Sequence, residues 1–270
     1  MPELPEVETT RRGIEPHING QKVLSVITRT KKLRWPIPSQ LNKNLSQKVI
    51  TSVNRRGKYL LLKTESGTLI IHLGMSGSLR VTETTASAQK HDHVDVVFKK
   101  NILRLHDPRR FGAVLWTNNN PLSHKLLVSL GPEPLDEDFT AKHIYEASRN
   151  RRISVKEFIM NSHVVVGVGN IYATEALFTS KIHPLRAAGK ISFARYELLV
   201  TAIKVILSEA IQRGGTTLRD FTREDGKPGY FQQELKVYGR TKKPCVVCAR
   251  PLRSTKQGQR TTTYCSQCQR

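Results

Sequence analysis

No run of this chain approaches the ~20 consecutive apolar residues that a membrane-spanning helix needs, so a helical span is excluded. The start, Met1-Pro2-Glu3-Leu4-Pro5-Glu6, is acidic and carries no apolar h-region. It does not read as a secretory signal, and a cytoplasmic location is expected. Acidic residues are in deficit: 22 Asp and Glu stand against 44 Lys and Arg, for a net charge of +22 and a pI near 10.2. Cysteine is missing from the first 244 residues. Internal repeats and low-complexity tracts are missing throughout.

The shortage of negative charge points to a polyanionic partner. Membrane surfaces are also anionic, but the basic residues are spread along the whole chain and form neither one amphipathic helix nor a terminal run. Nucleic acid is the expected partner, bound with an affinity that falls steeply as salt rises. The competing reading is a basic surface kept for solubility. With 270 residues, 38% of them hydrophobic, the chain can build one large domain or two modest ones, each with a real core.

The cysteines that are present all lie in the last 26 residues, as Cys245, Cys248, Cys265 and Cys268, in the spacing C-x2-C-x16-C-x2-C. Each C-x2-C lets one tight turn aim two sulfurs at one metal, and two such turns complete a tetrahedron. One structural zinc ion is expected, with disulfides or free thiols as the alternative. His91 and His93 are not expected to be ligands, because the cysteines already complete a site.

Residues 1–131 read as the first domain, mixed and dominated by strands. Pro5 suits the first turn of a helix, and Glu6 and Glu8 favour its positive end. Leu4, Val7 and Ile14 fall on one face of it. Strand-like runs follow at 22–28, 49–53, 59–63, 68–72, 93–98 and 102–105, punctuated by Gly57, Gly67, Gly74 and Gly77. That spacing suggests a β-sandwich or barrel. Pro132, Pro134 and Asp136-Glu137-Asp138 mark a boundary, after which residues 132–235 turn helical, with candidates at 139–149, 154–162, 171–180 and 193–213. The polar, glycine-containing stretch from 216 to about 230 reads as a loop, and residues 236–270 form the zinc module.

Pro2 follows the initiator methionine, which is trimmed readily before proline. Trimming leaves a secondary α-amine whose pKa near ~8 makes part of it a free nucleophile at neutral pH. A secondary amine that attacks a sugar C1′ gives an iminium that cannot lose an N–H to become neutral. The retained charge acidifies the C2′ proton and favours β-elimination of the 3′ phosphate. Taken alone, Pro2 reads as an accident of the start.

The run Pro2-Glu3-Leu4-Pro5-Glu6-Val7-Glu8 resembles the N-terminus of the bacterial formamidopyrimidine-DNA glycosylases. So do Arg56-Gly57-Lys58-Tyr59-Leu60, His72-Leu73-Gly74-Met75-Ser76-Gly77 and Asp107-Pro108-Arg109-Arg110-Phe111-Gly112. Gly167-Val168-Gly169-Asn170-Ile171-Tyr172, Val237-Tyr238-Gly239-Arg240 and the cysteine module continue the similarity over essentially the whole chain. The resemblance implies an α+β fold: an N-terminal β-sandwich with flanking helices, a C-terminal helix-two-turn-helix domain, and a zinc-finger β-hairpin. It implies a monomeric enzyme that excises oxidised purines from double-stranded damaged DNA and then cleaves the strand by β,δ-elimination.

Residue by residue, the resemblance makes Pro2 the nucleophile and Glu3 the general acid. A carboxyl serves as an acid only if burial raises its pKa. Lys58 would act near the elimination, and Arg260 would contact phosphate. Arginine hardly ever deprotonates, so electrostatic stabilisation suits Arg260 better than proton transfer. Met75, Arg109 and Phe111 match a trio that enters the duplex where the damaged nucleotide is flipped out. Read without the family, Lys58 is a solvated lysine, and Met75 and Phe111 are ordinary core. Gly167-Val168-Gly169-Asn170 is no dinucleotide fingerprint, since Tyr172 stands where its third glycine would fall. It fits a tight turn that brings Asn170 to a phosphate. His72, His91, Arg151 and Tyr238 are further DNA-contact candidates, although Arg149, Arg151 and Arg152 are interchangeable by sequence. The loop from 216 to about 230 would close over the flipped base. Two alternatives stand: an endonuclease VIII-type enzyme for oxidised pyrimidines, and a non-catalytic zinc-finger DNA-binding protein.

Overall fold

The computed structural model describes residues 2–214 and 235–270. The loop expected to cover a flipped base lies outside the described residues. The chain divides into two compact units, with the cut between Ser129 and Leu130. The first holds the chain up to Ser129 together with Arg213 and Gly214, and the second holds Leu130–Gln212 and residues 235–270.

The first unit opens with α1 (Leu4–Ile18). Glu3 is its N-cap, and the Glu3 backbone N–H donates to Glu6 Oε2 at 2.8 Å in a capping box. Pro5 occupies the first turn, where a missing N–H costs nothing. Leu4, Val7, Ile14 and Ile18 form the buried stripe. The chain continues through β1 (Ser25–Thr28), α2 (Leu41–Leu45), β2 (Ser52–Arg56), β3 (Tyr59–Thr64), β4 (Gly67–His72), β5 (Ser78–Glu83), β6 (Asp92–Val97), β7 (Asn101–His106) and β8 (Ala113–Thr117). These strands make two antiparallel four-stranded sheets, ordered β1-β6-β7-β5 and β2-β3-β4-β8.

The inner faces of both sheets share one core. Val94, Val96, Leu103 and Leu105 of one sheet cluster with Leu60, Leu62, Leu69 and Ile71 of the other, beside Val7 and Ile14 of α1. This is the expected sandwich. Reading the sequence alone omits β5 and β8. The alternation of Leu79 and Val81 with Ser78, Arg80 and Thr82 carries the period of β5, and Ala113-Val114-Leu115-Trp116 is a short apolar run. Both follow directly on the Gly74–Gly77 and Asp107–Gly112 blocks.

The second unit contains α3 (Ala141–Ser148), α4 (Val155–Ile159), α5 (Asn170–Thr179) and α6 (Phe193–Gln212), then the hairpin β9 (Arg253–Gln257) and β10 (Arg260–Tyr264). Thr140 and Ser154 cap α3 and α4 by accepting from the backbone N–H groups of His143 and Glu157. Helix α5 is buried on all sides from Ile171 to Phe178, which suits its apolar composition. Gly214, in the left-handed region at φ +83°, follows the end of α6, as a helix C-terminus prefers. Among the described residues, no helix is long and apolar enough to cross a membrane.

Candidate active site

Pro2 and Glu3 are buried, Glu3 to 2% exposure, at the head of α1. Glu8, one turn further on, fixes where that head points. Burial pushes the Glu8 carboxyl up, but hydrogen bonds to Arg11 and Arg12 and the charge of Arg55 hold it below the usual range. Its ion pairs to these arginines measure 3.0, 2.9 and 3.1 Å. Arg55 also donates to the Gly57 carbonyl at 2.9 Å. Gly57 and Lys58 are the two-residue turn between β2 and β3, and Gly57 supplies the positive φ, +55°, that such turns require. One guanidinium thereby ties the helix that carries Pro2 and Glu3 to the turn that carries Lys58.

His72 lies next to that turn. It pairs with Tyr59 across β3 and β4, with ring centroids 4.8 Å apart. Its Nδ1 accepts the Gly74 N–H at 3.0 Å, so the ring's proton sits on Nε2. Burial, followed by the charges of Lys58 and Arg34, pushes its pKa down to about 4. His72 is therefore a neutral donor at working pH.

Asp107, which sequence reasoning did not single out, organises the exposed loops. Its side chain is fully buried. One carboxylate oxygen accepts the Gly112 N–H at 2.8 Å, and the other faces the Ser76 hydroxyl at 3.5 Å. Its backbone N–H donates to the His91 carbonyl, and its own carbonyl accepts from Arg110 N–H and from His93 Nε2. These bonds join the segments bearing Met75, His91, Arg109 and Phe111. The loops touch backbone to backbone: a Cβ on Gly74, at φ +67°, would lie 2.4 Å from the Phe111 carbonyl carbon. Phe111 is 46% exposed, so it is not core, and Arg109 packs over its ring at 5.1 Å. Met75 is half-buried in the turn between β4 and β5.

In the second unit, Asn170 opens α5 behind the turn at Gly167, whose φ is +80°. The amide of Asn170 is held at both ends. Its Oδ1 accepts from Lys156 Nζ, and its Nδ2 donates to the Thr261 carbonyl at 3.2 Å. Lys156, buried to 1% exposure, is a second residue that sequence reasoning missed. Arg260 begins β10 beyond the turn Gly258-Gln259, whose φ values of +50° and +63° are those of a tight hairpin turn. Arg260 thus stands at the tip of the hairpin. Glu175, buried on α5, accepts the backbone N–H groups of Lys236, Val237 and Tyr238 at 2.9, 2.9 and 2.8 Å, and so places Tyr238. Of the run Arg149–Arg152, Arg149 is spent internally, stacked on Tyr145 at 3.9 Å and donating to the Ile191 carbonyl. Arg151 and Arg152 are exposed.

The four cysteines converge, with all sulfurs within 4.8 Å of one another. Cys245 and Cys268 are 3.9 Å apart, and Cys248 and Cys265 are 3.5 Å apart. Tetrahedral zinc with bonds of ~2.3 Å separates its sulfurs by roughly 3.8 Å, so the donor set fits the metal. Backbone N–H groups of Val247 and Cys268 point at Cys245 and Cys265 sulfurs, as they do toward thiolates. The cysteines are not in disulfides. His91 and His93 form no metal-competent group among the described residues.

Family models match three stretches of the chain. Residues 1–114 match the formamidopyrimidine-DNA glycosylase N-terminal domain, 130–222 match its H2TH domain, and 242–270 match a zinc finger found in FPG and IleRS. The formamidopyrimidine-DNA glycosylase of Stutzerimonas stutzeri is 60% identical over 271 residues, covering all of both chains. A Lactococcus lactis FPG mutant, G226P, in complex with Fapy-dG containing DNA superposes with a TM-score of 0.94 at 36% identity, covering all of both chains. The Lactococcus lactis Fpg bound to DNA with an abasic site gives 0.93 at 36% identity over 99% of each chain. The geometry and these likenesses agree, and the chain belongs to the formamidopyrimidine-DNA glycosylase family.

Proposed function

We propose that this DNA repair glycosylase excises oxidised purines from double-stranded DNA through a Schiff base on Pro2, and then cleaves the strand by β,δ-elimination. The observation that carries the reading is the buried Pro2-Glu3 pair at the head of α1, tied through Glu8 and Arg55 to the turn bearing Lys58. The Pro2 nitrogen attacks C1′, and the base leaves. Glu3 protonates the opening sugar. The iminium then loses its C2′ proton, the 3′ phosphate departs, and a second elimination releases the 5′ phosphate. Lys58 acts at the elimination, and Arg260 stabilises leaving phosphate by charge.

His72, His91, Arg151, Asn170 and Tyr238 serve as DNA contacts. Met75, Arg109 and Phe111 fill the space of the flipped nucleotide and face the orphaned base. One zinc per chain holds the finger through Cys245, Cys248, Cys265 and Cys268, and the protein acts as a cytoplasmic monomer. The working division is a catalytic domain to residue 131, a helical domain at 132–235 and the finger at 236–270.

The purine preference is supported by the Lactococcus lactis relative's complex with Fapy-dG containing DNA. Duplexes carrying 8-oxoguanine, a formamidopyrimidine or thymine glycol, compared under single-turnover conditions, test it. Faster release of both purine lesions is expected, and faster release of thymine glycol would overturn it.

A further inference from the structure

The second unit contains a groove that the reading above does not use. It lies between the end of α5 at Phe178, the start of α6 at Arg195, and the zinc knuckle, with a volume of about 740 Å³. Val246 and Val247, the two residues inside the first C-x2-C, stand on its wall at 55% and 69% exposure. Its charged side chains among the described residues are Lys181, Arg195, Lys236 and Arg270, with no Asp or Glu among them. Arg195 Nη2 is held by the main-chain oxygens of Lys181 and Arg270 at 2.7 and 2.8 Å, which fixes one cation in place. Lys181, Lys236 and Arg270 are exposed.

The position of the groove separates it from the phosphate-binding end of this unit. Helix α5 starts at Asn170 and has 10 residues, so Phe178 lies roughly 12 Å further along at ~1.5 Å per residue. The hairpin runs the same way. Arg260 is at its turn, and β10 leads back over five residues to the cysteines, a distance of roughly 16 Å at ~3.3 Å per residue. Asn170 bonds to Thr261, so the candidate DNA-facing ends of both elements coincide. The groove sits at the opposite end of both, where Phe178 and Cys268 line it. Cations there are not accounted for by phosphates held at Asn170 and Arg260, and exposed valines offer nothing to a phosphate.

We propose that this groove docks an acidic segment of a partner protein that carries a bulky apolar side chain. The carboxylates would meet Lys181, Lys236 and Arg270, and the apolar group would lie against Val246 and Val247. Charge complementarity selects an acidic chain, and the apolar wall selects a peptide over nucleic acid. The inference rests on the proposed reading only in taking the Asn170 and Arg260 end as the DNA side.

The test uses zinc-loaded, full-length protein and a fluorescein-labelled peptide of alternating Asp and Phe, read by anisotropy. Control peptides replace Phe with Ser, or Asp with Lys. Binding by the Asp-Phe peptide alone is expected, undisturbed by saturating lesion duplex. Lys181→Glu and Val246→Ser should each weaken it by about tenfold or more, with zinc content, duplex affinity and base excision unchanged. Equal binding of the Ser-containing peptide, or none of the Asp-Phe peptide, overturns the proposal and leaves the catalytic reading intact. Displacement of the peptide by duplex, with excision falling in Lys181→Glu, overturns both the groove's role and the assignment of the DNA side.

Discussion

Lys156 Nζ donates to Asn170 Oδ1 at 2.5 Å and to Thr262 Oγ1 at 2.6 Å, so one buried ammonium joins α4, the first residue of α5 and the second strand of the zinc hairpin. Its cost of desolvation is offset by these hydrogen bonds, which hold the Asn170 amide with its Nδ2 group turned toward Thr261. Lys156→Met removes the donor and leaves two acceptors without it. A lost hydrogen bond to a charged group is worth about 1.5–3 kcal/mol, so affinity for lesion duplex should fall at least about tenfold with zinc still bound. Titration of duplex binding checks this, and an unchanged dissociation constant would show that Asn170 is placed by other means.

His72 makes the stability depend on pH in a defined direction. Its pKa is lowered from 6.5 to about 4 in the folded chain. The folded state therefore disfavours the proton, and the contribution is fully present above pH 6.5 and is lost as pH falls from 6.5 toward 4. The loss amounts to at most about 3 kcal/mol, less with partial solvent access. Urea unfolding between pH 7.5 and 4.5 should show the wild-type curve dropping more steeply than that of His72→Gln. Parallel curves would contradict a neutral, half-buried His72.

Much of this organisation is legible in the sequence, for identifiable reasons. The C-x2-C pairs specify their own convergence, and the alternation of Leu60 and Leu62 or of Val94 and Val96 reports burial on one face of a sheet. The positions of Phe111 and Arg109 are different. Their exposure depends on Asp107, whose carboxylate reaches Gly112 five residues on and Ser76 across 31 residues of sequence, and nothing local marks a buried aspartate. Lys156 and Glu175 are hidden for the same reason. Each is a charged residue in a helical pattern that reads as solvated, and each gains its role from partners 106 and 61 to 63 residues away. Short α4, five residues long, is also shorter than its apolar pattern suggests, because the chain turns at Met160 to bring Gly131 and Val164 together.

Removal of zinc should act locally. The finger's small cluster of Val237, Cys245, Leu252 and Cys265 depends on the sulfurs being drawn together. Cys265→Ala should abolish metal binding and weaken DNA affinity while the sandwich core still unfolds cooperatively. Metal analysis and thermal unfolding of the variant check both halves. Stoichiometric zinc in Cys265→Ala would remove that cysteine from the ligand set.

Pro2 carries the central claim. Borohydride reduction of the wild-type protein on 8-oxoguanine duplex should lock the two together, and mass spectrometry should place the adduct on the N-terminal peptide beginning at Pro2. Pro2→Gly should bind the same duplex but lose most strand cleavage, and Glu3→Gln should lose base release while retaining some cleavage at abasic sites. An adduct located on Lys58, or active enzyme whose N-terminus still carries Met1, would contradict the account.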